Sequence, residues 1–117
     1  MKENIVIEMT FQFSLKIISL YKILTEQKEF VISKQLLRCG TSIGANVEEA
    51  NAAQTKKDFI AKMSIASKEA RESRYWLNLL DKSQLIKQDY SVYLSDIDQI
   101  IRVLTKIVKT SQENLKR

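Results

Sequence analysis

The chain has 117 residues and a net charge of +5, and hydrophobic residues make up 44% of it. The length fits a single domain, residues 1–117, and the composition excludes a disordered chain. No apolar run approaches the roughly 20 residues that a membrane span needs. The N-terminus lacks the apolar core of a signal peptide. We therefore expect a cytoplasmic protein that has no membrane partner.

The first predicted helix covers residues 5–25 and is apolar on two sides. At about 100° per residue, its apolar side chains fall into two rows on nearly opposite faces. One row is Ile7, Phe11, Leu15 and Ile18, and the other is Met9, Phe13, Ile17, Leu20 and Leu24. Two apolar sides need two partners, which we expect to be the bundle core and another subunit. We assign to the oligomer interface Phe13, Ile17, Leu20 and Leu24.

The second predicted helix runs from Val31 to Asn51, with Ser33 as a candidate N-cap. Its apolar residues recur every three or four positions, and Gly40 and Gly44 lie beside that apolar face. A glycine inside a helix costs about 0.5–1 kcal/mol relative to alanine. Two of them therefore indicate that a neighbouring helix packs nearly in backbone contact.

The third predicted helix covers residues 56–82, and Thr55 with Asp58 forms a capping box at its start. Its core positions follow an unbroken heptad repeat, typical of helices that pack at shallow angles. The repeat comprises Phe59, Met63, Ala66, Ala70, Ser73, Leu77 and Leu80. The narrow middle of this row, at Ala66 and Ala70, is expected to face the two glycines of the second helix.

One flank of the third helix carries Ile65, Trp76 and Leu79 beside the heptad repeat. Ordinary partial burial at the edge of a bundle is one interpretation of this flank. Because the helix already has an apolar face, we favour an oligomer contact and assign these three residues to the interface as well.

A loop with Leu85 and Ile86 follows, and Asp89 or Ser91 is expected to cap a fourth helix that ends near Leu115. Four helices with short connections predict an all-α fold, an antiparallel up-down-up-down four-helix bundle.

Few residues of this sequence could carry catalysis. It has no histidine, which removes the commonest general base, and its one cysteine, Cys39, lies on the apolar face of a helix as a packing residue. Glu69 and Glu72 share a helical face, but their expected role is structural, with Glu72 pairing with Lys68 four residues earlier. We predict no catalytic residue, no metal or other cofactor, and no small-molecule substrate, so the protein is not expected to be an enzyme.

Two positive stripes point away from the predicted core. They consist of Lys57, Lys68 and Arg71 on the third helix and Arg102, Lys106 and Lys109 on the fourth. A solvated helix face is one interpretation, and a phosphate-binding surface for RNA or DNA is the other. No aromatic residue is interleaved with the stripe on the fourth helix, which disfavours stacking of single-strand bases there.

The segments LLRCGTSIGANVEEA and KKDFIAKMSIASKEARESRYWLNLL resemble the four-helix-bundle family of 23S rRNA-intervening-sequence proteins. The resemblance runs from about residue 10 to residue 110. It implies a ring of five subunits, and a similar bundle, the accessory variability determinant of diversity-generating retroelements, is a basic pentamer that engages nucleic acid. The resemblance therefore implies a homo-oligomeric, nucleic-acid-binding accessory protein. A protein-interaction scaffold without nucleic-acid binding is the alternative.

Overall fold

The computed structural model describes residues 2–116, with side chains from Ile5 onward. Four helices fill this range: α1 (Lys2–Glu26), α2 (Ile32–Asn51), α3 (Lys56–Ser83) and α4 (Ser91–Lys116). They pack into a rod 51 Å long and 22 Å across. The all-α prediction is confirmed, and the predicted helix bounds lie close to the observed ones. No helix in the described range is long and apolar enough to cross a membrane.

Residue pairs across the helix interfaces run in opposite directions. Along α1 and α2, Ile17 lies next to Gly40 while Thr10, earlier in the chain, lies next to Gly44. Along α3 and α4, Arg71 contacts Thr105, whereas the later Arg74 contacts Asp98 on an earlier turn of α4. These pairs, together with connections of four to seven residues, fit the predicted alternation of helix directions.

The core row of α1 differs from the predicted one. Phe13, Ile17, Leu20 and Leu24 are 0–1% exposed and lie inside the bundle of the single chain. Their assignment to an oligomer interface is therefore wrong. The physical reason is the length of the row, because Val6 and Thr10 extend it to six positions at heptad spacing. The polar Thr10 is tolerated in the core because its hydroxyl donates to the Val6 carbonyl oxygen at 2.8 Å.

The outer row of α1 is left on the surface. Phe11 is 56% exposed, Leu15 is 45% exposed and Ile18 is 40% exposed. Ile7, the first residue of this row, is partly buried, so that the exposed part spans two helical turns. The buried row spans five turns, and burying the longer row removes more apolar area from water.

The two glycines of α2 lie against α1 and not against α3 as predicted. A Cβ built on Gly40 would meet Ile17 at 3.0 Å, and one built on Gly44 would meet the Thr10 carbonyl oxygen at 3.4 Å. The predicted close approach exists, but its partner is α1. Ala66 and Ala70 are buried in the α3 seam, where Ser73 Oγ lies 3.2 Å from Cys39 Sγ on α2.

The helix starts are fixed by side chains, although not always by the predicted ones. Thr55 accepts from the Asp58 N–H at 3.0 Å, which confirms the cap of α3. Ser33 lies inside α2 and does not cap it. The carboxylate of Glu29 takes that role, since it accepts from the N–H groups of Val31, Ile32 and Ser33 at 2.6–3.0 Å.

The connection between α3 and α4 is held against the core by Tyr90, which no pattern in the sequence indicates. Tyr90 is fully buried and its hydroxyl donates to the Ile86 carbonyl oxygen at 2.8 Å. From the sequence, Leu85 and Ile86 are both expected to form a hydrophobic plug in this loop, but Leu85 is 59% exposed. Asp89 accepts from the Ser91 N–H at 2.9 Å, at the start of α4.

Candidate nucleic-acid interface

The charge of the molecule is divided between its two helix pairs. Helices α1 and α2 each carry as many acidic as basic residues. The first part of α3, residues 56–71, and the last part of α4, residues 102–116, together carry nine basic residues and three acidic ones. Because α3 and α4 pack in opposite directions, these two segments lie side by side. We call the surface that they form the basic surface.

All six residues predicted to bind nucleic acid are exposed. They occupy a length of about 20 Å along the two helices, at 1.5 Å per residue. Three of them line grooves between α3 and α4, namely Lys57, Arg71 and Lys109. Lys106 lines a cleft on the opposite side of α4. The remaining two, Lys68 and Arg102, stand on the outer surfaces of their helices.

Two adjoining grooves run between α3 and α4. The groove nearer the middle of α3 has a volume of about 260 Å³ and is lined by Ser64, Ser67, Arg71, Thr105, Val108, Lys109 and Gln112. The groove at the start of α3 has a volume of about 360 Å³ and is lined by Lys57, Ile60, Gln112, Leu115 and Lys116. Besides the apolar Ile60, Val108 and Leu115, the linings contain cations, hydroxyl groups and one amide but no carboxylate. Such a set of hydrogen-bond donors suits the oxygens of a phosphate backbone.

A third cleft, which we call the end cleft, opens between the start of α1, the start of α3 and the last turns of α4. Its volume is about 350 Å³ and its lining is Ile5, Phe59, Val103, Lys106, Ile107, Thr110 and Ser111. The heptad repeat of α3 predicts Phe59 as a core position and therefore gives no sign of this cleft. The structure leaves Phe59 half-buried, since it is the terminal position of that seam at the end of the bundle.

Several cations outside the basic surface form ion pairs within the chain. Arg38 of α2 pairs with both Glu69 and Glu72 of α3. Hydrogen bonds from the Trp76 indole and from Arg38 lower the pKa of Glu72. The predicted structural role of these carboxylates is thus seen, but their ion-pair partner is Arg38 and not Lys68.

The same type of engagement occurs at the start of α4. Asp98 pairs with Arg74 at 3.3 Å, and Asp96 pairs with Lys16 at 2.6 Å. Within the described residues no ion pair involves the six predicted cations. Their charge therefore remains available to an external anion.

Cys39 is buried at the contact between α2 and α3. Burial raises the pKa of its thiol to about 11, so the reactive thiolate is scarce. The predicted role as a packing residue fits this placement beside Ser73 in the α2–α3 contact.

The predicted interface residues of α3 lie at the surface. Ile65 is 41% exposed and Leu79 is 38% exposed, while Trp76 is half-buried and packs edge-on against Tyr75. Their participation in an oligomer contact stays a prediction.

Comparison with known proteins gives a matching family and similar solved structures. The family described as 23S rRNA-intervening sequence protein matches residues 2–106. A crystal structure at 1.70 Å of a protein with unknown function from Bacteroides thetaiotaomicron, described as a member of the S23 ribosomal protein family, is 49% identical. It superposes with a TM-score of 0.88, over 93% of this chain and 99% of that chain. No curated protein matches the chain significantly. The match over nearly the whole length shows that this chain belongs to the family of 23S rRNA-intervening sequence proteins.

Proposed function

We propose that the protein is a homo-oligomeric, non-enzymatic accessory protein that binds RNA or DNA through its basic surface. The observation that carries this proposal is the distribution of charge. Helices α1 and α2 are each neutral, whereas the adjoining segments 56–71 and 102–116 carry nine basic residues against three acidic ones. A merely solvated surface would not require the cations to gather beside one helix pair. Such gathering is the electrostatic footprint of a polyanion partner.

Binding by this surface depends mainly on phosphates. Lysine and arginine side chains that neutralise phosphates release condensed counterions, so affinity falls steeply as salt rises. Contacts of this kind position a nucleic acid without reading its sequence. We therefore expect binding that tolerates many sequences.

Self-association is the second part of the proposal. The exposed row of Phe11, Leu15 and Ile18 supplies an apolar contact surface on α1, whose helix pair carries no net charge. Two copies that meet at this neutral surface do not repel each other through net charge, and their basic surfaces remain available to nucleic acid. The number of subunits, five, is implied by the family resemblance. A ring repeats the basic surface and strengthens weak phosphate contacts through avidity.

The experiment is fluorescence anisotropy of labelled RNA and DNA across a salt series. The test variant reverses Arg102, Lys106 and Lys109 to glutamate, three exposed residues without an intramolecular ion pair. The matched control reverses Lys22, Lys34 and Lys87, which are equally exposed but lie outside the basic surface. We expect the first variant to lose binding and the second to keep most of it. Equal losses would show that only the net charge matters.

A scaffold that binds proteins and not nucleic acid is the second candidate. The exposed side chains Phe30, Val31 and Tyr75, at 56–74% exposure, favour it, because large apolar and aromatic groups are typical of protein contacts. An absence of binding by the wild-type protein at low salt would favour this candidate. For either function we expect the protein to act in the cytoplasm.

A further inference from the structure

The end cleft adjoins the basic surface but differs from it in chemistry. Ile5, Phe59, Val103 and Ile107 make most of its lining apolar, and Lys106, Thr110 and Ser111 supply polar groups. Its volume of about 350 Å³ lies within the usual range for a small organic ligand. Ile5 is 62% exposed, so apolar surface stands open to solvent next to a cation of the basic surface.

We infer that the end cleft receives one unpaired nucleobase of the bound nucleic acid, with the phosphate beside that base held by Lys106. This inference rests on the proposed function, because Lys106 belongs to both surfaces. A base has an apolar face and polar edges. The Phe59 ring and the aliphatic side chains suit the face, and the hydroxyl groups of Thr110 and Ser111 can donate to or accept from the edge.

The position of Lys106 favours a base over an uncharged apolar ligand. Lys106 lines the cleft, while Arg102 and Lys109, one turn away on either side, carry the adjacent charges of the stripe. A backbone that follows this stripe passes the opening of the cleft. A base that leaves its stack at this point moves from the phosphate path into an apolar site without crossing another element.

The consequence is a preference for nucleic acids that contain an unpaired base. A fully paired duplex reaches the phosphate-binding groups but leaves the end cleft empty. A duplex with a single-base bulge offers a base that is already unpaired, so little energy is lost in unstacking it. Because contact with an aromatic side chain adds affinity for a base, we expect the bulged duplex to bind about tenfold more tightly than the paired one, a difference of about 1.4 kcal/mol.

The experiment compares an RNA duplex with a single-adenine bulge to the same duplex without the bulge, both by anisotropy at one fixed salt concentration. A fluorescent adenine analogue at the bulge reports on the surroundings of the base. Tighter binding of the bulged duplex, with a changed analogue signal, is the expected result. Equal affinity for the two duplexes overturns the inference but leaves the proposed function intact, whereas no binding of either duplex overturns both.

Two substitutions test the cleft itself. Thr110→Trp places a large ring at the rim from an exposed position and should abolish the preference for the bulged duplex over the paired one. Phe59→Leu keeps an apolar side chain against the core but removes the ring, and should reduce the preference severalfold. The matched control is Ser95→Trp, at an exposed position of α4 three turns before Lys106. A preference that survives Thr110→Trp, or is lost equally in Ser95→Trp, contradicts the inference.

Discussion

The backbone of Gly44 on α2 lies against that of Thr10 on α1, so that a Cβ added to Gly44 would stand 3.4 Å from the Thr10 carbonyl oxygen. Four residues earlier, a Cβ added to Gly40 would stand 3.0 Å from a methyl carbon of Ile17. The first distance is an ordinary van der Waals contact, whereas the second is tighter than most Cβ contacts, so that Ile17 would have to move by a few tenths of an ångström. The two glycines therefore differ in how much space they leave, although both lie at the same helix contact.

This difference predicts opposite effects of alanine at the two positions. Gly44→Ala should raise the free energy of unfolding by up to about 1 kcal/mol, since alanine favours the helix and its methyl group fits. Gly40→Ala should lower the free energy of unfolding by about 1–2 kcal/mol, because the buried Ile17 must shift. Urea unfolding of both variants is the measurement. Ile17→Val should partly rescue Gly40→Ala, and a lack of rescue would place the clash elsewhere.

A larger side chain tests the close approach directly. Gly44→Leu should destabilise the fold by about 1–3 kcal/mol, because the added atoms have no space between α1 and α2. Thermal unfolding monitored by circular dichroism measures the effect. Ala45→Leu, one residue along α2 at an exposed position, is the control and should leave the melting temperature nearly unchanged. Equal melting temperatures for Gly44→Leu and the wild type would show that the helices are not in close contact.

The cap of α2 depends on the carboxylate of Glu29, which is 8% exposed and accepts from three backbone N–H groups. Glu29→Ala should cost about 1–2 kcal/mol of stability, the loss typical of a removed cap. Glu29→Gln keeps one acceptor oxygen and should cost less. Amide hydrogen exchange at residues 31–33 locates the effect. Faster exchange there is expected in Glu29→Ala but not in Glu26→Ala, which changes an exposed glutamate at the end of α1.

The link between α2 and α3 should weaken in acid. Hydrogen bonds from Trp76 and Arg38 lower the pKa of Glu72 from its ordinary value of 4.5. A carboxylate with a lowered folded-state pKa stabilises the fold above its ordinary pKa, and this contribution disappears as the pH falls through the lowered value. Glu72→Gln should therefore be less stable than the wild type by about 0.5–1 kcal/mol at pH 7.

The pH dependence separates this charge effect from a packing effect. The stability difference between Glu72→Gln and the wild type should shrink as the pH falls below 4.5. Glu113→Gln, at an exposed position near the end of α4, should match the wild type throughout the range. A difference that stays constant from neutral to acidic pH would mean that shape, and not ionisation, is the cause.

The sequence predicted the four helices well because each apolar row is long and each connection contains polar residues. It could not show which side of α2 the glycines face, because a small residue indicates a close neighbour but not its identity. The core row of α1 could have been found, since Val6, Thr10 and Phe13 begin the same heptad spacing as α3. That row is hard to recognise because the polar Thr10 interrupts its apolar spacing. Only the structure shows that the Thr10 hydroxyl is hydrogen-bonded within the helix.

The candidate site was predictable in part for a similar reason. Helical spacing put the six cations outside the core, and the structure places all six at the surface. Spacing within one helix could not show that Lys109 and Arg71 line one groove, or that Phe59 shares a cleft with Lys106. Both relationships depend on the relative register of two helices, which no single-helix pattern contains.

The corrected core of α1 predicts that aspartate has different effects on its two apolar rows. Phe11→Asp changes the exposed row and should leave helicity intact, while the mass measured by light scattering falls from a multiple of 13.6 kDa to a single chain. Phe13→Asp puts a charge into the core and should unfold the chain. Val92→Asp is the control, because Val92 is also 56% exposed but lies outside that row, and it should keep the oligomer mass. A wild-type monomer, or an unchanged mass in Phe11→Asp, would show that the outer row of α1 is not the subunit contact.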